Sequence, residues 1–331
     1  MRQHNQIGDM LCSLTLYKAL KKKHPDAQIT LVASKTNYEI PFFDINPFVD
    51  RVLIFDKSSL KTILKFIKNL RSRKYQIGIV PSTIVLSRTS HIINFISGVK
   101  IRVGVSSIDG KINESQKYLN VSSDFIWKDS HQTQRNLDVV KQIGCDFSEE
   151  DINSIKIDFT KEDLEFANEF ISTNFPNKIK KLIAIHPGAG KGTNIWDKKY
   201  FIELIKKLNN YFDINVLFTS GWTDDKILTE FGKELNLVKI VHKILHNAPL
   251  KKLGAVLSLV NLYITNDTGT MHIAGYSGAK MISIFGQTNP TEWAPKSRNL
   301  RHIKAKDNKI NSIVVDEVFE LAKTFLTANK N

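Results

Sequence analysis

The sequence predicts an α/β protein built from two doubly wound domains with parallel sheets. Three observations lead to this prediction: the length of 331 residues, the near-continuous apolar character of the short strand-like runs, and their alternation with amphipathic helical stretches. A chain of this length exceeds one usual core, so two domains of roughly 150 residues are expected. Apolar strands separated by helices form parallel sheets that are covered on both faces.

The first half of the chain alternates β-branched runs with helical patterns. Apolar residues recur there at three- and four-residue spacing, which is typical of a helix with one buried face. The predicted helices cover about 9–23, 59–72, 84–97 and 131–143. The predicted strands are QITLVAS (28–34), RVLIFD (51–56), YQIGIVPS (75–82) and IRVGV (101–105).

The same alternation continues in the second half. The predicted strands there are KLIAIHPG (181–188), INVLFTSG (214–221), LVKIVH (237–242), NLYITND (261–267) and KMISIFG (280–286). The predicted helices lie near 198–210, 223–235, 250–259 and 270–277. The halves meet in the acid-rich polar stretch CDFSEEDINSIKIDFTKEDLEF, and we place the boundary there, which gives domains 1–160 and 161–331.

The chain is strongly basic, with a formal net charge of +14. Much of this charge is lysine on predicted helix faces, including KKKH (21–24) and KTILKFIKNLRSRK (61–74). Such faces are either ordinary solvated surface or a basic face for an anionic partner, such as an acidic substrate or an anionic membrane surface. Neither a zinc-finger spacing nor an RNA-binding aromatic signature accompanies the charge, so no nucleic acid partner is predicted.

Cysteine usage and hydropathy narrow the class further. Cys12 and Cys145 are far apart and have no His or Cys at ligand spacing, so neither a metal site nor a disulfide framework is predicted. No apolar run approaches the ~18 residues of a membrane helix, and the polar start MRQHNQ lacks the layout of a signal peptide. We expect a cytoplasmic protein whose membrane contact, if any, is peripheral.

Four segments combine glycine with polar residues at positions suited to ligand binding. In parallel sheets, ligands bind beyond the carboxyl ends of the strands. The segments are NQIGDM (5–10), HPGAGKGTNIW (186–196), SGWTDD (220–225) and NDTGTMH (266–272). Three of them fall in the second half, which indicates that this half binds a nucleotide.

The segment NDTGTMH lies where a buried strand passes into a helix. The free N–H groups and partial positive charge of a helix start favour phosphate binding. We predict that Asp267 caps the helix by accepting the N–H of Gly269 or Thr270. Thr268 and the remaining N–H groups would then face the phosphate.

The glycines of HPGAGKG would let a ligand approach the backbone closely, and Lys191 adds a point charge. The segment fits neither the Walker A spacing nor the dinucleotide G-x-G-x-x-G pattern. A tight, glycine-rich strand exit without a ligand is therefore the alternative interpretation.

Three segments together resemble glycosyltransferase family 9, which contains the ADP-heptose:lipopolysaccharide heptosyltransferases. They are RQHNQIGDMLCSLTLYKALKKKHPDAQITLV, HPGAGKGTNIW and ITNDTGTMHIAGYSGAKMISIFGQTNPTEWAP, in the family's order along nearly the whole chain. The resemblance implies a GT-B fold, in which two Rossmann-like domains face a cleft. It also implies inverting transfer of a sugar, heptose from ADP-heptose, to a lipid-linked or phosphorylated glycan acceptor, without a metal or other cofactor.

The resemblance also assigns residues. On the acceptor side it implies Asp9 as general base, with Gly8 and Asn5 beside it in the N-terminal domain. An aspartate at a helix start is expected to be ionised, which makes it a weak base that serves when proton transfer is late. The alternative is that Asp9 only caps the predicted helix 9–23.

The nucleotide-sugar donor is expected on the C-terminal domain. The implied donor-binding residues are Gly188, Lys191, Asn194, Asp225, Asp267, Thr268, Gly269 and His272. The acid near the donor ribose is either Asp225 or Asp224, and His272 has a packed, purely structural role as its alternative.

The chain departs from the family pattern at two places. Many members have a lysine two residues before the tryptophan of the first donor loop, followed by a proline, where this chain has Asn194 and Asp197. Lys191 is expected to supply the missing charge. Members also have an apolar strand before the Gly-Asp pair, whereas only MRQHNQI precedes Gly8, so we expect the natural start to lie upstream.

These departures keep a second interpretation open, a nucleotide-sugar-binding protein that has kept the GT-B fold but has impaired catalysis. A third, a Rossmann-type oxidoreductase, is disfavoured because the chain lacks G-x-G-x-x-G followed by an acid ~20 residues later.

Overall fold

The computed structural model describes residues 7–34, 45–81, 83–177, 179–221, 225–237 and 239–327. The chain divides into two compact units, Met1–Ile155 and Lys156–Asn331, whereas the sequence prediction ended the first domain at 160. Each unit combines helices with mainly parallel strands, as the predicted α/β class requires.

The first unit opens with two short helices, α1 (Ile7–Cys12) and α2 (Leu14–Lys23), where the sequence predicted one helix over 9–23. The chain turns at Ser13, whose hydroxyl donates to the carbonyl of Met10 at 2.7 Å. A serine that bonds back to the preceding turn competes with the regular helix, which accounts for the break.

The later elements of the first unit follow the predicted alternation. They are β1 (Thr30–Ser34), β2 (Arg51–Phe55), α3 (Leu60–Arg71), β3 (Ile77–Ile79), α4 (Arg88–Ile96), β4 (Ile101–Ile108), β5 (Lys111–Ile112), β6 (Val121–Phe125), α5 (Gln132–Lys141) and α6 (Glu149–Asn153). The sequence did not predict β5 and β6, because β5 has only two residues and VSSDF of β6 is too polar to give an apolar run.

The described strands of this unit form two sheets. Strands β1 and β2 pair in parallel, while β4 pairs in parallel with β3 and β6 and antiparallel with β5. A cavity of about 940 Å³ is lined by both β1 and β3. The predicted apolar strand before Gly8 would fall outside the described residues and stays a prediction.

The second unit contains a six-stranded parallel sheet in the order β12-β11-β10-β7-β8-β9. Its elements are α7 (Lys161–Asn174), β7 (Lys181–His186), α8 (Lys198–Phe212), β8 (Ile214–Ser220), α9 (Asp225–Leu237), β9 (His242–His246), α10 (Leu250–Leu259), β10 (Leu262–Asn266), α11 (Gly269–Tyr276), β11 (Met281–Phe285), α12 (Pro290–Trp293), β12 (Leu300–Lys304) and α13 (Val315–Thr327). This strand order is that of a doubly wound, Rossmann-like sheet.

The predicted strand over 237–242 is wrong. Helix α9 extends to Leu237, and the strand begins at His242 after a turn in which Lys239 adopts a positive φ of 54°. Of the apolar residues that suggested a strand, Leu237 and Val241 are exposed, whereas Ile240 is buried in the core. The real edge strand, HKILH, has a single buried residue and therefore leaves a weak apolar signal.

Candidate functional site

The strand order of the second unit reverses between β7 and β10. Strands β8 and β9 extend to one side of β7, while β11 and β12 extend to the other side of β10. In a doubly wound sheet such a reversal opens a crevice at the carboxyl ends of the two strands, where ligands bind. The predicted donor segments 186–196 and 266–272 follow β7 and β10, so the fold brings them together.

Asn266, the last residue of β10, holds the loop after β7 in place. Its buried side-chain amide donates to the carbonyls of Pro187 at 2.8 Å and Gly188 at 3.2 Å. Its Oδ1 accepts the N–H of Trp196 at 3.2 Å. The sequence analysis gave Asn266 no role, although an asparagine ending an otherwise apolar strand was the available signal.

Three of the predicted donor residues cluster at this crevice. Asn194, only 7% exposed, ends the short 3₁₀ helix Gly192–Asn194 and donates its amide to the carboxylate of Asp267 at 2.9 Å. Burial raises the pKa of the Asp267 carboxyl, while a hydrogen bond from Thr288 and the charge of Lys191 act in the opposite direction. Thr288, which the sequence analysis missed, lies in the loop after β11 and hydrogen-bonds to the Asp267 carboxyl.

The predicted cap of helix α11 is wrong. Thr268, not Asp267, is the N-cap residue, and its side chain makes no capping hydrogen bond. The carboxylate of Asp267 is instead engaged by Asn194 and Thr288, since burial makes those partners necessary. The first N–H groups of this eight-residue helix are therefore left without a side-chain cap at the crevice.

The other predicted donor residues occupy different settings. Gly188 is buried in the loop after β7, and Gly269 is the first residue of α11. His272 lies within α11 and is only 3% exposed, so it is enclosed by the protein. Asp225 is the first residue of α9, but its side chain and all of Asp224 lie outside the described part of the chain.

The raised pKa of Asp267 predicts a pH-dependent gain in stability for Asp267→Asn. A carboxyl whose folded pKa exceeds its unfolded value loses its contribution to stability as the pH rises through the folded pKa. Because asparagine does not titrate, the free energy of unfolding of the variant should rise relative to that of the wild type as the pH increases from acidic to neutral. Denaturant titrations across that range measure it, and a pH-independent difference would contradict the buried-acid interpretation.

In the first unit, Asp9 lies in the first turn of α1, and Gly8 beside it is buried. Burial raises the pKa of the Cys12 thiol, one turn later, to about 12, and the charge of Asp9 contributes in the same direction. The buried amide of Asn136 in α5 donates to the carbonyl of Cys12 at 3.3 Å. Helix α5 therefore fixes the helix that bears Asp9.

A second contact orders the same region. The amide of Gln132, the first residue of α5, donates to the hydroxyl of Thr83 in the loop after β3. Among the residues that the structure describes, no donor hydrogen-bonds to the buried Oε1 of Gln132. Sequence patterns did not single out either residue, and the predicted acceptor residue Asn5 lies outside the described residues.

Within the parts of the chain that the structure describes, no group of three or more His, Cys, Asp or Glu side chains is placed to hold a metal ion. None of the helices in those ranges is both long and apolar enough to cross a membrane.

Comparison with protein families decides the class. The profile of "Glycosyltransferase family 9 (heptosyltransferase)" matches residues 63–322, most of the chain. The chain belongs to glycosyltransferase family 9. The predicted family membership and the predicted glycosyltransferase activity are thereby confirmed.

Individual relatives agree with this assignment. Lipopolysaccharide heptosyltransferase 3 of Escherichia coli is 25% identical over 321 residues, which are 91% of this chain and 85% of that protein. Lipooligosaccharide heptosyltransferase 2 of Campylobacter jejuni is 29% identical over 144 residues, which are 43% of this chain and 45% of that protein. The second match thus spans less than half of its relative.

A solved structure confirms the fold class. That of E. coli ADP-heptose lps heptosyltransferase II superposes with a TM-score of 0.77, at 19% identity, over 98% of this chain and 97% of that one. The GT-B class predicted from the family 9 resemblance is therefore correct.

Proposed function

We propose that this family 9 glycosyltransferase transfers heptose from ADP-heptose, with inversion and without a metal ion, to a lipopolysaccharide-core or related glycan acceptor. The observation that carries the proposal is the uncapped start of α11 at the β7/β10 crevice, close to Lys191. The names of the relatives support the sugar and the acceptor class, and the name of the E. coli enzyme supports the nucleotide.

The donor diphosphate would lie against the first turn of α11. Uncapped N–H groups and the positive end of the helix dipole favour an anion there. The Thr268 hydroxyl would add a hydrogen bond, and the exposed Lys191 would add a full positive charge. Together they would stabilise the charge that develops on the departing ADP, the task that a metal ion performs in other enzymes.

The neighbouring acid constrains this arrangement. An ionised Asp267 would repel the diphosphate, yet its raised pKa, its bond from Asn194 and the nearby Lys191 all reduce that repulsion. Asn194 thus acts on the acid, and the cation that other family members place at its position comes from Lys191.

The acceptor would bind to the first unit, beside Asp9. Its hydroxyl oxygen attacks the anomeric carbon of heptose while the bond from that carbon to the ADP oxygen breaks. The hydroxyl proton passes to the Asp9 carboxylate, and attack opposite the leaving group inverts the configuration. We further propose that the enzyme works on the cytoplasmic side of an anionic membrane, where a lipid-linked acceptor would be found.

Lys191→Ala tests the donor site. We expect ADP and ADP-heptose to bind ~1.5–3 kcal/mol more weakly, because a charge-assisted hydrogen bond to phosphate is lost. Isothermal titration calorimetry measures the change. Lys233→Ala, which removes an exposed lysine from α9, is the matched control.

Equal ADP affinity in the Lys191→Ala and Lys233→Ala proteins would mean that Lys191 does not bind the donor and that the glycine-rich loop after β7 is purely structural. Membership in an enzyme family does not favour the alternative of a nucleotide-sugar-binding protein with impaired catalysis. That alternative would be supported if the wild type bound the donor normally but transferred sugar to no glycan acceptor.

A further inference from the structure

Helix α3 and its flanks form a strongly basic segment of the first unit. Residues 57–74 contain seven Lys or Arg side chains and no Asp or Glu. The proposed transfer reaction uses none of them. We use the name α3 face for Leu60, Lys61, Leu64, Lys65 and Lys68.

One side of α3 is anchored in the protein. Phe66 and Leu70 are buried and pack in a core cluster with Val32, Leu53 and Ile93. A capping box at Ser59 fixes the start of the helix. The helix is therefore rigidly presented, and the direction of its outer side is set by the core.

The outer side combines leucines with lysines. Leu60 is 72% exposed and Leu64, one helical turn later, is 58% exposed. Lys61, Lys65 and Lys68 follow one another at four- and three-residue spacing, so they lie along the same side of the helix, and all three are exposed. The α3 face therefore presents apolar and cationic side chains next to one another.

The positive charges of these three lysines are not neutralised by ion pairs with the described carboxylates. Across the described ranges, no carboxylate lies within 4.0 Å of Lys61, Lys65 or Lys68. Some lysines elsewhere on the molecule are paired, as in Lys22–Asp151 at 2.6 Å and Lys198–Glu230 at 2.7 Å. The α3 face is thus a site of unneutralised positive charge.

We propose that the α3 face docks on a bilayer containing anionic phospholipids. The leucines would enter the boundary between headgroups and acyl chains, and the lysines would remain at the level of the phosphates. An acidic protein or a nucleic acid would match the charge but would not require two exposed leucines beside the lysines. The proposal deepens the proposed function, because it names the surface that would bring the enzyme to a lipid-linked acceptor.

Vesicle cosedimentation tests the proposal without donor or acceptor, so its failure is distinguishable from failure of the transferase assignment. The wild type should bind vesicles of phosphatidylcholine mixed with phosphatidylglycerol and should not bind phosphatidylcholine alone. Added salt should weaken binding, since it screens exposed charges. Equal binding to both vesicle types, or to neither, would overturn the proposal.

Variants locate the surface. Lys61→Gln, Lys65→Gln and Lys68→Gln combined should weaken partitioning about 10²-fold, because each basic residue near an anionic membrane contributes roughly fivefold. Lys141→Gln, Lys156→Gln and Lys233→Gln combined remove the same charge from other exposed positions and should retain more of the binding. Equal loss in the two triple variants would mean that net charge, not the α3 face, governs binding.

The leucines provide an independent check. Leu60→Ser with Leu64→Ser keeps every charge and should still weaken partitioning, whereas Leu237→Ser, at a leucine 79% exposed on α9, should not. Melting curves of all variants verify folding. Undiminished vesicle binding by the folded leucine variant would contradict insertion of the α3 face.

Discussion

Asp9→Asn should lower the rate of sugar transfer by roughly 10²–10⁴, the usual contribution of a positioned acid or base. Asparagine matches aspartate in size and in its ability to accept hydrogen bonds, but it cannot take the acceptor's proton. The melting temperature and the donor affinity should therefore change little. Transfer is measured with saturating donor and a competent acceptor, beside a melting curve and a calorimetric titration with ADP.

The alternative to a general base is that Asp9, in the first turn of α1, serves only to stabilise that helix. Near a helix start, asparagine replaces aspartate with little loss of stability. If Asp9 served only the helix, the variant would keep wild-type turnover. Such a result would remove Asp9 as the general base, whatever the donor site does.

Trp196→Ala should reduce the free energy of unfolding by ~3–5 kcal/mol, the range for truncating a large buried aromatic. Trp196 is fully buried, and its ring packs edge-on against Phe201 with centroids 4.9 Å apart. Its Nε1 donates to the carbonyl of Ile313 at 3.1 Å, so truncation also leaves a buried carbonyl unpaired. Denaturant titration followed by circular dichroism measures the change.

The position of Trp196 links this loss to the donor site. Its backbone N–H is held by Asn266, and it closes the loop that carries Lys191 and Asn194. ADP affinity should therefore fall together with stability. Tyr211→Ala, at an aromatic residue 58% exposed, is the control and should be far milder. A Trp196→Ala protein as stable as this control would contradict the packing described for the second unit.

The sheet of the second unit was predictable because its central strands are buried on both faces. Segments such as KLIAIH and MISIF read as continuous apolar runs, and the structure buries nearly every residue of each. Edge elements gave weaker signals. Strand β12, LRHIK, was not predicted because it has only one buried residue. Strand β9 likewise has one buried residue, and it was predicted at the wrong position.

The candidate site was predictable in its location but not in its internal contacts. Loops after parallel strands lie at one edge of the sheet, so the segments containing Lys191 and Asp267 were expected to lie close together. The capping role given to Asp267 failed because local spacing does not reveal a partner 73 residues away, and Asn194 takes its carboxylate. The role of Asn266 was missed for the same reason, since its partners lie in another loop.

The most direct test of the proposed function is an assay of sugar transfer. The wild-type protein is incubated with ADP-heptose and a lipopolysaccharide-core acceptor that lacks the terminal heptose. Mass spectrometry then measures the mass of the acceptor, and the free ADP is quantified. The proposed function predicts an acceptor heavier by one heptose residue and ADP release that requires the acceptor. An unchanged acceptor, with ADP-heptose bound but not consumed, would contradict it.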